Sequence, residues 1–286
     1  MDAVHAFLLE DLDIRGALVQ LGPSWAAMTS RRNYAAPVRE LLGELAAVTA
    51  LLGSKLKQPG RLSFQLQGQG PVSMLVMDCN EQLHLRGMAK SELVAGAKST
   101  MIGLGDLIGD GRLVLTLQPK TGENSYQSVV PIAGETLAEA FEHYLTQSEQ
   151  QPARLWLAAT PRTACGLFLQ KLPGADLADP DGWNRIEQLA ATVRPDELAL
   201  PPETLLTRLF AEETVRLFDA RPATWHCPRD EEKVRNMLLS LGREELEDML
   251  ADAEIISIED EICGHEYRFG PEIVDELFPP NGRILH

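Results

Sequence analysis

Two runs, RLSFQLQG (residues 61–68) and VSMLVMD (72–78), constrain the fold of this chain more than any other feature. The first alternates apolar and polar side chains, and only a pleated strand places Leu62, Phe64 and Leu66 on one face. The second is apolar at strand length, and Gln69, Gly70 and Pro71 between the two supply a turn. RLVLTLQP (112–119) followed by YQSVVPI (126–132) repeats the arrangement. VRELLGELAAVTALLGSKL (38–56) and TLAEAFEHYLTQSEQ (136–150) carry the helical period instead. Strands in hairpins packed by helices predict an α+β fold with an N-terminal sheet-and-helix core over residues 1–174.

The texture changes after LQKLPGAD. From Trp183 onward nearly every segment carries a helical pattern broken by Pro or Gly, and residues 175–225 are expected to form a helical linker. Within it PPETLLTRLFAEETVRLF (201–218) opens with proline, which suits a helix's first turn. Leu205, Leu206, Leu209, Phe210, Leu217 and Phe218 fall largely on one side of that helix. Such a stripe is a docking face against the preceding domain or a surface for clients. Residues 226–286 are expected to form a third, small domain: helix 231–241 closed by Gly242, helix 243–252, a short hairpin around ISIEDEICGHEYRF, and a terminal helix PEIVDELF. A module of that size needs a metal, a disulfide or a partner surface to stay folded.

Charge sharpens this division. The net charge is -16, which disfavours nucleic acid and anionic membranes as partners. Acidic residues outnumber basic ones by 16 to 15 over residues 1–174, by 10 to 5 over 175–225 and by 16 to 6 over 226–286. The sequence shows neither an apolar run of membrane-spanning length nor a secretory signal pattern. Four scattered cysteines, Cys79, Cys165, Cys227 and Cys263, are too few for a disulfide framework. A cytoplasmic location is expected.

Catalytic motifs are missing. GLGDLIGDGR (103–112) has no lysine after its glycines, and neither G-x-S-x-G nor H-E-x-x-H occurs, so no enzyme activity is expected. One constellation remains, made of WHCPRDEEKV (225–234) and DEICGHEYRF (260–269). Each contributes one cysteine, Cys227 and Cys263. Cys79 and Cys165 lie in apolar surroundings suited to inert packing.

The spacing and flanks of this pair resemble the zinc centre of the heat-shock protein 33 family, redox-regulated holdase chaperones in which Cys-x-Cys and Cys-x-x-Cys hold one zinc ion. Arg15-Gly16, LLGEL (41–45), QLQGQGPVSMLV (65–76), LRGMA (85–89), YLTQSEQQPARLWLA (144–158) and GLFLQKLPGA (166–175) extend the resemblance along the chain in family order. It implies an ATP-independent chaperone of stress response that binds unfolding clients, with a possible homodimer. In the family, oxidation makes a disulfide within each cysteine pair, zinc leaves, and the C-terminal domain and linker lose structure.

The departures fall on that switch. Arg229 and Asp260 stand at two of the four ligand positions, so neither family disulfide can form. Arginine offers only hydrogen-bond donors and cannot coordinate zinc. No cofactor is therefore expected, zinc being disfavoured even with His226 or His265 nearby. One ligand has become a cation and the other an anion, which predicts an Arg229–Asp260 ion pair across the two halves. Cys227 and Cys263 are the redox remnant and are placed to form one cross-link, which would lock the module rather than open it. The resulting expectation is a holdase whose activity is constitutive or triggered by heat or unfolding. The alternative is a regulatory adaptor of the same fold that binds one folded partner.

Overall fold

The computed structural model describes residues 2–30, 32–56, 58–93, 96, 103–120 and 124–279. They form two compact units, Met1–His226 and Cys227–His286.

Twelve strands of the described residues belong to the first unit: β1 (Ala3–Leu9), β2 (Ile14–Leu21), β3 (Gly60–Gly68), β4 (Val72–Asn80), β5 (His84–Ser91), β6 (Gly111–Pro119), β7 (Tyr126–Pro131), β8 (Ala153–Ala159), β9 (Ala164–Lys171), β10 (Val215–Leu217), β11 (Arg221–Pro222) and β12 (Thr224–Trp225). Its helices are α1 (Pro23–Thr29), α2 (Ala36–Gly53), α3 (Leu104–Ile108), α4 (Leu137–Glu149), α5 (Ala175–Ala178), α6 (Gly182–Ala190) and α7 (Pro202–Leu209). One sheet runs β10-β1-β2-β9-β8, with β11 also paired to β1, and the other runs β12-β5-β4-β3-β6-β7. The two hairpins expected from alternation are β3–β4 and β6–β7, both antiparallel, and β3 also pairs with β6. Leu62, Phe64 and Leu66 of β3 are buried while Arg61 faces solvent, as period two requires.

The core explains the long helix. α2 is apolar around almost its whole circumference, with Leu42, Leu45, Val48 and Leu51 fully buried, and it packs against strands of both sheets. A helix enclosed on all sides has no need of a polar face. It ends at Gly53, three residues before the expected end, and Gly53 packs close to β4: a Cβ there would lie 2.7 Å from the Cys79 sulfur. α4 starts as predicted, with Thr136 accepting from the Glu139 amide.

The segment 201–218 departs from expectation. It is not one helix: α7 stops at Leu209, and Val215–Leu217 forms β10 on the edge of β1, with Phe7 opposite Leu217 and Leu9 opposite Val215. The physical reason is a change of period. Leu205, Leu206, Leu209 and Phe210 follow a helical face, whereas Val215 and Leu217 alternate and satisfy the otherwise open edge of β1. Backbone bonds from Glu10 to Thr214 and from Phe218 to Ala6 hold the strand there. Residues 221–225 are likewise extended, with β12 parallel to β5.

The second unit contains α8 (Glu231–Leu241), α9 (Arg243–Asp252), the antiparallel hairpin of β13 (Ile256–Asp260) and β14 (His265–Phe269), and α10 (Glu272–Leu277). Gly242 adopts φ +93 between the two helices, a conformation costly to any side chain. Asp230 caps α8 by accepting from the Lys233 amide. Leu238, Leu246, Ile256, Tyr267, Phe269, Ile273 and Val274 make its small core.

Candidate functional site

The site is built on the β13–β14 turn. Asp260 closes β13 and His265 opens β14 directly opposite it. Between them the Asp260 carboxylate accepts from the Ile262 amide at 2.9 Å and the Cys263 amide at 3.2 Å, while Gly264 donates to the Asp260 carbonyl at 2.6 Å. An aspartate bonding amides two and three residues ahead holds a tight turn by itself. Gly264, at φ +66, supplies the left-handed residue that lets β14 begin. The side chain at the position where the resemblance implies a zinc ligand is the acceptor that folds the loop.

Cys263 is buried at the end of this turn, and Cys227 is half-buried at the start of the unit. The two are joined as a disulfide, 36 residues apart in sequence and 6.0 Å apart at Cα. His265 Nε2 lies 2.7 Å from the Cys227 carbonyl. A carbonyl only accepts, so Nε2 is the donor of this contact. The two sulfurs and one ring nitrogen of His265 all lie within 4.8 Å of one another. His226 does not share this cluster: it belongs to the first unit, where its ring is 4.4 Å from that of His84.

Arg229 and Asp260 are not paired as expected. Arg229 Nη2 donates to the Glu266 carbonyl at 2.5 Å, and its guanidinium lies 4.8 Å from the centre of the Tyr267 ring. Asp260 Oδ1 accepts from both turn amides, and no ion pair links the two residues among the described residues. The reason is geometric. A backbone carbonyl and an aromatic face on β14 satisfy the planar guanidinium. The Tyr267 hydroxyl accepts from the Asp230 amide at 2.8 Å and adds a third tie between the two segments. From the sequence, His265 is weighed only as a recruited zinc ligand and Tyr267 is given no role, although the inward alternation of Tyr267 and Phe269 in HEYRF is the signal that places Tyr267 in the core.

A closed four-donor zinc centre does not fit these residues. Three candidate ligand atoms converge, from Cys227, Cys263 and His265; Arg229 can only donate, and Asp260 lies outside the converging set. The remaining cysteines, Cys79 and Cys165, are buried free thiols in the first unit. Burial pushes them up to about 12 and about 11 respectively, which leaves both unreactive at neutral pH.

The apolar residues of the linker are closed against the first sheet. Leu205, Leu206, Leu209 and Phe210 are buried with Phe7, Leu9, Leu167, Leu169 and Ile186, while Leu217 is half-buried. Phe218 stands apart, 46 % exposed at the end of β10.

Comparison with known proteins agrees with this architecture. The family described as Hsp33 protein matches residues 2–270. A 33 kDa chaperonin from Methylobacillus flagellatus is 41 % identical over 280 residues, covering 97 % of this chain and 94 % of that one. One from Vibrio cholerae is 38 % identical over 291 residues, covering 99 % and 98 %. The crystal structure of the Thermotoga maritima 33 kDa chaperonin, a heat shock protein 33 homologue, superposes with a TM-score of 0.82 at 22 % identity, covering 97 % of this chain and 98 % of that chain. With the sheets, the helices and the paired Cys227 and Cys263 in place, this match over nearly the whole length shows that the chain belongs to the Hsp33 family.

Proposed function

We propose that this chain is a cytoplasmic holdase that binds unfolding polypeptides without nucleotide, and that oxidation closes its C-terminal unit instead of opening it. The relatives' name, chaperonin, favours a chaperone over an adaptor. The observation that carries the switching half is the Cys227–Cys263 bond, which joins the two halves of the site where the family pairs its cysteines within each half. A hydroperoxide would form it by taking two electrons and both thiol protons, leaving water and an alcohol. Arg229, His265 and Tyr267 already tie the halves together without metal.

Client contact belongs, in this proposal, to the linker at residues 175–225 acting between the core at 1–174 and the switch-like domain at 226–286. The leucines of α7 are covered in the resting state. They become available when heat or unfolding lifts the helix from its sheet. No oxidant is needed for that step.

The test is suppression of aggregation of a heat-unfolded client by the full chain, under reductant and after peroxide. Activity under reductant that peroxide does not raise is the expected result. Activity appearing only after peroxide overturns the closed-by-oxidation switch, and inactivity under every treatment overturns the holdase. Sedimentation of the same samples measures whether the chain works as the homodimer the family resemblance implies.

A further inference from the structure

One enclosed carboxyl of the first unit has no partner. Glu40 and Glu44 stand one turn apart on α2, and Glu135 stands just before α4, where its carbonyl accepts from the Leu104 amide at the start of α3. Between these elements lies a cavity of about 180 Å3, lined by the three glutamates and walled by Leu41, Leu104 and Leu107. Glu44 is half-buried as a residue, yet its carboxyl is enclosed deeply enough that burial, helped by Glu40, pushes it up to about 7. Among the described residues none of the three carboxyl groups has a hydrogen-bond donor or a cation against it. A cation beside Glu44 would restore the charge that burial suppresses. The three groups do not converge on a point, since the cluster tight enough to share one metal ion among the described residues is that of Cys227, Cys263 and His265. The missing partner is therefore an extended cation. The cavity is smaller than the roughly 300–1,000 Å3 of pockets that take whole small molecules, and suits one side chain.

We propose that this cavity receives the guanidinium of an arginine side chain carried by a bound polypeptide. The planar guanidinium presents N–H donors along several directions, enough to reach carboxylates on two elements, whereas a lysine ammonium is a point charge. The leucine walls accept the methylene stem. The chain's net charge of -16 favours the approach of a basic segment. Glu44 carries the selectivity, because it ionises readily only with a cation beside it. Binding therefore displaces its proton, and affinity increases as pH rises through about 7. Glu40 and Glu135 are the other charged groups lining the cavity. Of the nearby acids on α3 and α4, Asp106 is engaged by the Gly103 amide and Glu139 by the Glu135 amide.

The occupant rests on the holdase reading, but the charge selectivity of the cavity does not, and client aggregation is not its readout. Failure of the holdase assay and failure of this site are therefore separate results. In the experiment the full chain is titrated with a capped glycine-rich peptide carrying one arginine, and the Leu104 and Leu107 methyl resonances are followed. Parallel arms use the same peptide with lysine, the same peptide with the neutral isostere citrulline, and free ethylguanidinium. The arginine peptide is expected to shift both methyls saturably and to bind about tenfold more tightly than the citrulline peptide, with the lysine peptide between them. Its affinity should be about fivefold higher at pH 8 than at pH 6. Glu44→Gln, which keeps the shape of the side chain, should weaken binding about tenfold and remove the pH dependence. Glu135→Gln, on a different element, should also weaken it. Glu244→Gln with Glu245→Gln, in the first turn of α9, should leave it unchanged, which separates the cavity from the general attraction of an acidic chain. Equal affinity for the arginine and citrulline peptides overturns the proposal, as does unchanged affinity in both Glu44→Gln and Glu135→Gln, or an equal loss in the α9 variant. A lysine peptide that binds as tightly as the arginine peptide overturns the guanidinium assignment, and ethylguanidinium binding without peptide binding overturns the polypeptide as occupant.

Discussion

At the scale of single residues, Arg229 and Asp260 each take a partner other than one another. Arg229 acts through a carbonyl and a ring, and Asp260 acts through two amides of its own turn. Arg229→Ala is expected to cost the second unit about 1 kcal/mol, the range of an exposed cation–π contact with a hydrogen bond. Asp260→Ala should cost about 1 kcal/mol, like the loss of a helix cap. Because they share no partner, the double mutant should be additive within about 0.5 kcal/mol, measured by amide exchange in β13 and β14; larger coupling would restore the ion pair. The sequence disclosed which positions had changed but not what they touch, because a guanidinium's choice between a carboxylate and a carbonyl depends on strand register. It also gave no sign of Lys55, whose buried Nζ sits 3.3 Å above the Phe168 ring without a hydrogen-bond partner. Burial pushes this amine down to about 7, with Arg15 adding to the effect and Glu149 opposing it. Burial, helped by Glu40, pushes Glu44 up to about 7. A lowered lysine loses stability as pH falls from the unfolded value of about 10.5 toward 7, and a raised glutamate loses it as pH rises from about 4.5 toward 7. The two therefore weaken the first unit most near neutrality. Lys55→Met should raise its stability at pH 7 and flatten the alkaline limb in urea titrations, whereas Glu44→Gln should flatten the acid limb. A lower midpoint for Lys55→Met at pH 7 would mean that the ring contact outweighs the orphaned donor.

At the scale of elements, legibility followed how much of each element faces water. β3, β4, β6 and β7 were visible because polar residues on one face or Gly and Pro turns mark their ends. α4 was visible because its exposed side is charged. β9 is buried along nearly its whole length, and an apolar run of that kind is indistinguishable by period from a buried helix. β10, β11 and β12 have two or three residues each, too short to show any period, and their existence depends on the edges of β1 and β5. The junction of α7 and β10 was missed for this reason, even though the alternation of Val215 and Leu217 was present. It matters for function because α7 and β10 attach the linker to the sheet in different ways, one through side chains and one through backbone bonds. Leu205, fully buried under α7, tests the first attachment. Leu205→Ala should destabilise the first unit by about 2–5 kcal/mol and lower the temperature at which the reduced protein begins to suppress client aggregation. Destabilisation with no shift in that temperature would place client contact elsewhere.

At the scale of the whole chain, the sign of the redox response decides how this member of the family works. The second unit has a core of few residues and carries most of the chain's excess acidic charge, so its stability depends on its ties. Linking Cys227 to Cys263 closes a loop across 36 positions, which in the chain-entropy model stabilises the folded state by about 4 kcal/mol. A disulfide within either half would have closed only a few residues and constrained the unfolded chain much less. In the proposed switch the long loop therefore makes oxidation protective. Peroxide treatment should raise the thermal transition assigned to residues 227–286, and reductant should reverse it. Cys227→Ser should hold the transition at its reduced value under both conditions. Client binding should move in the opposite direction, strongest when the cross-link is open and the unit is easiest to unfold. If oxidation instead lowers the transition, the bond has been made at the expense of the Arg229, His265 and Tyr267 contacts, and the chain switches open on oxidation despite having lost two of its thiols.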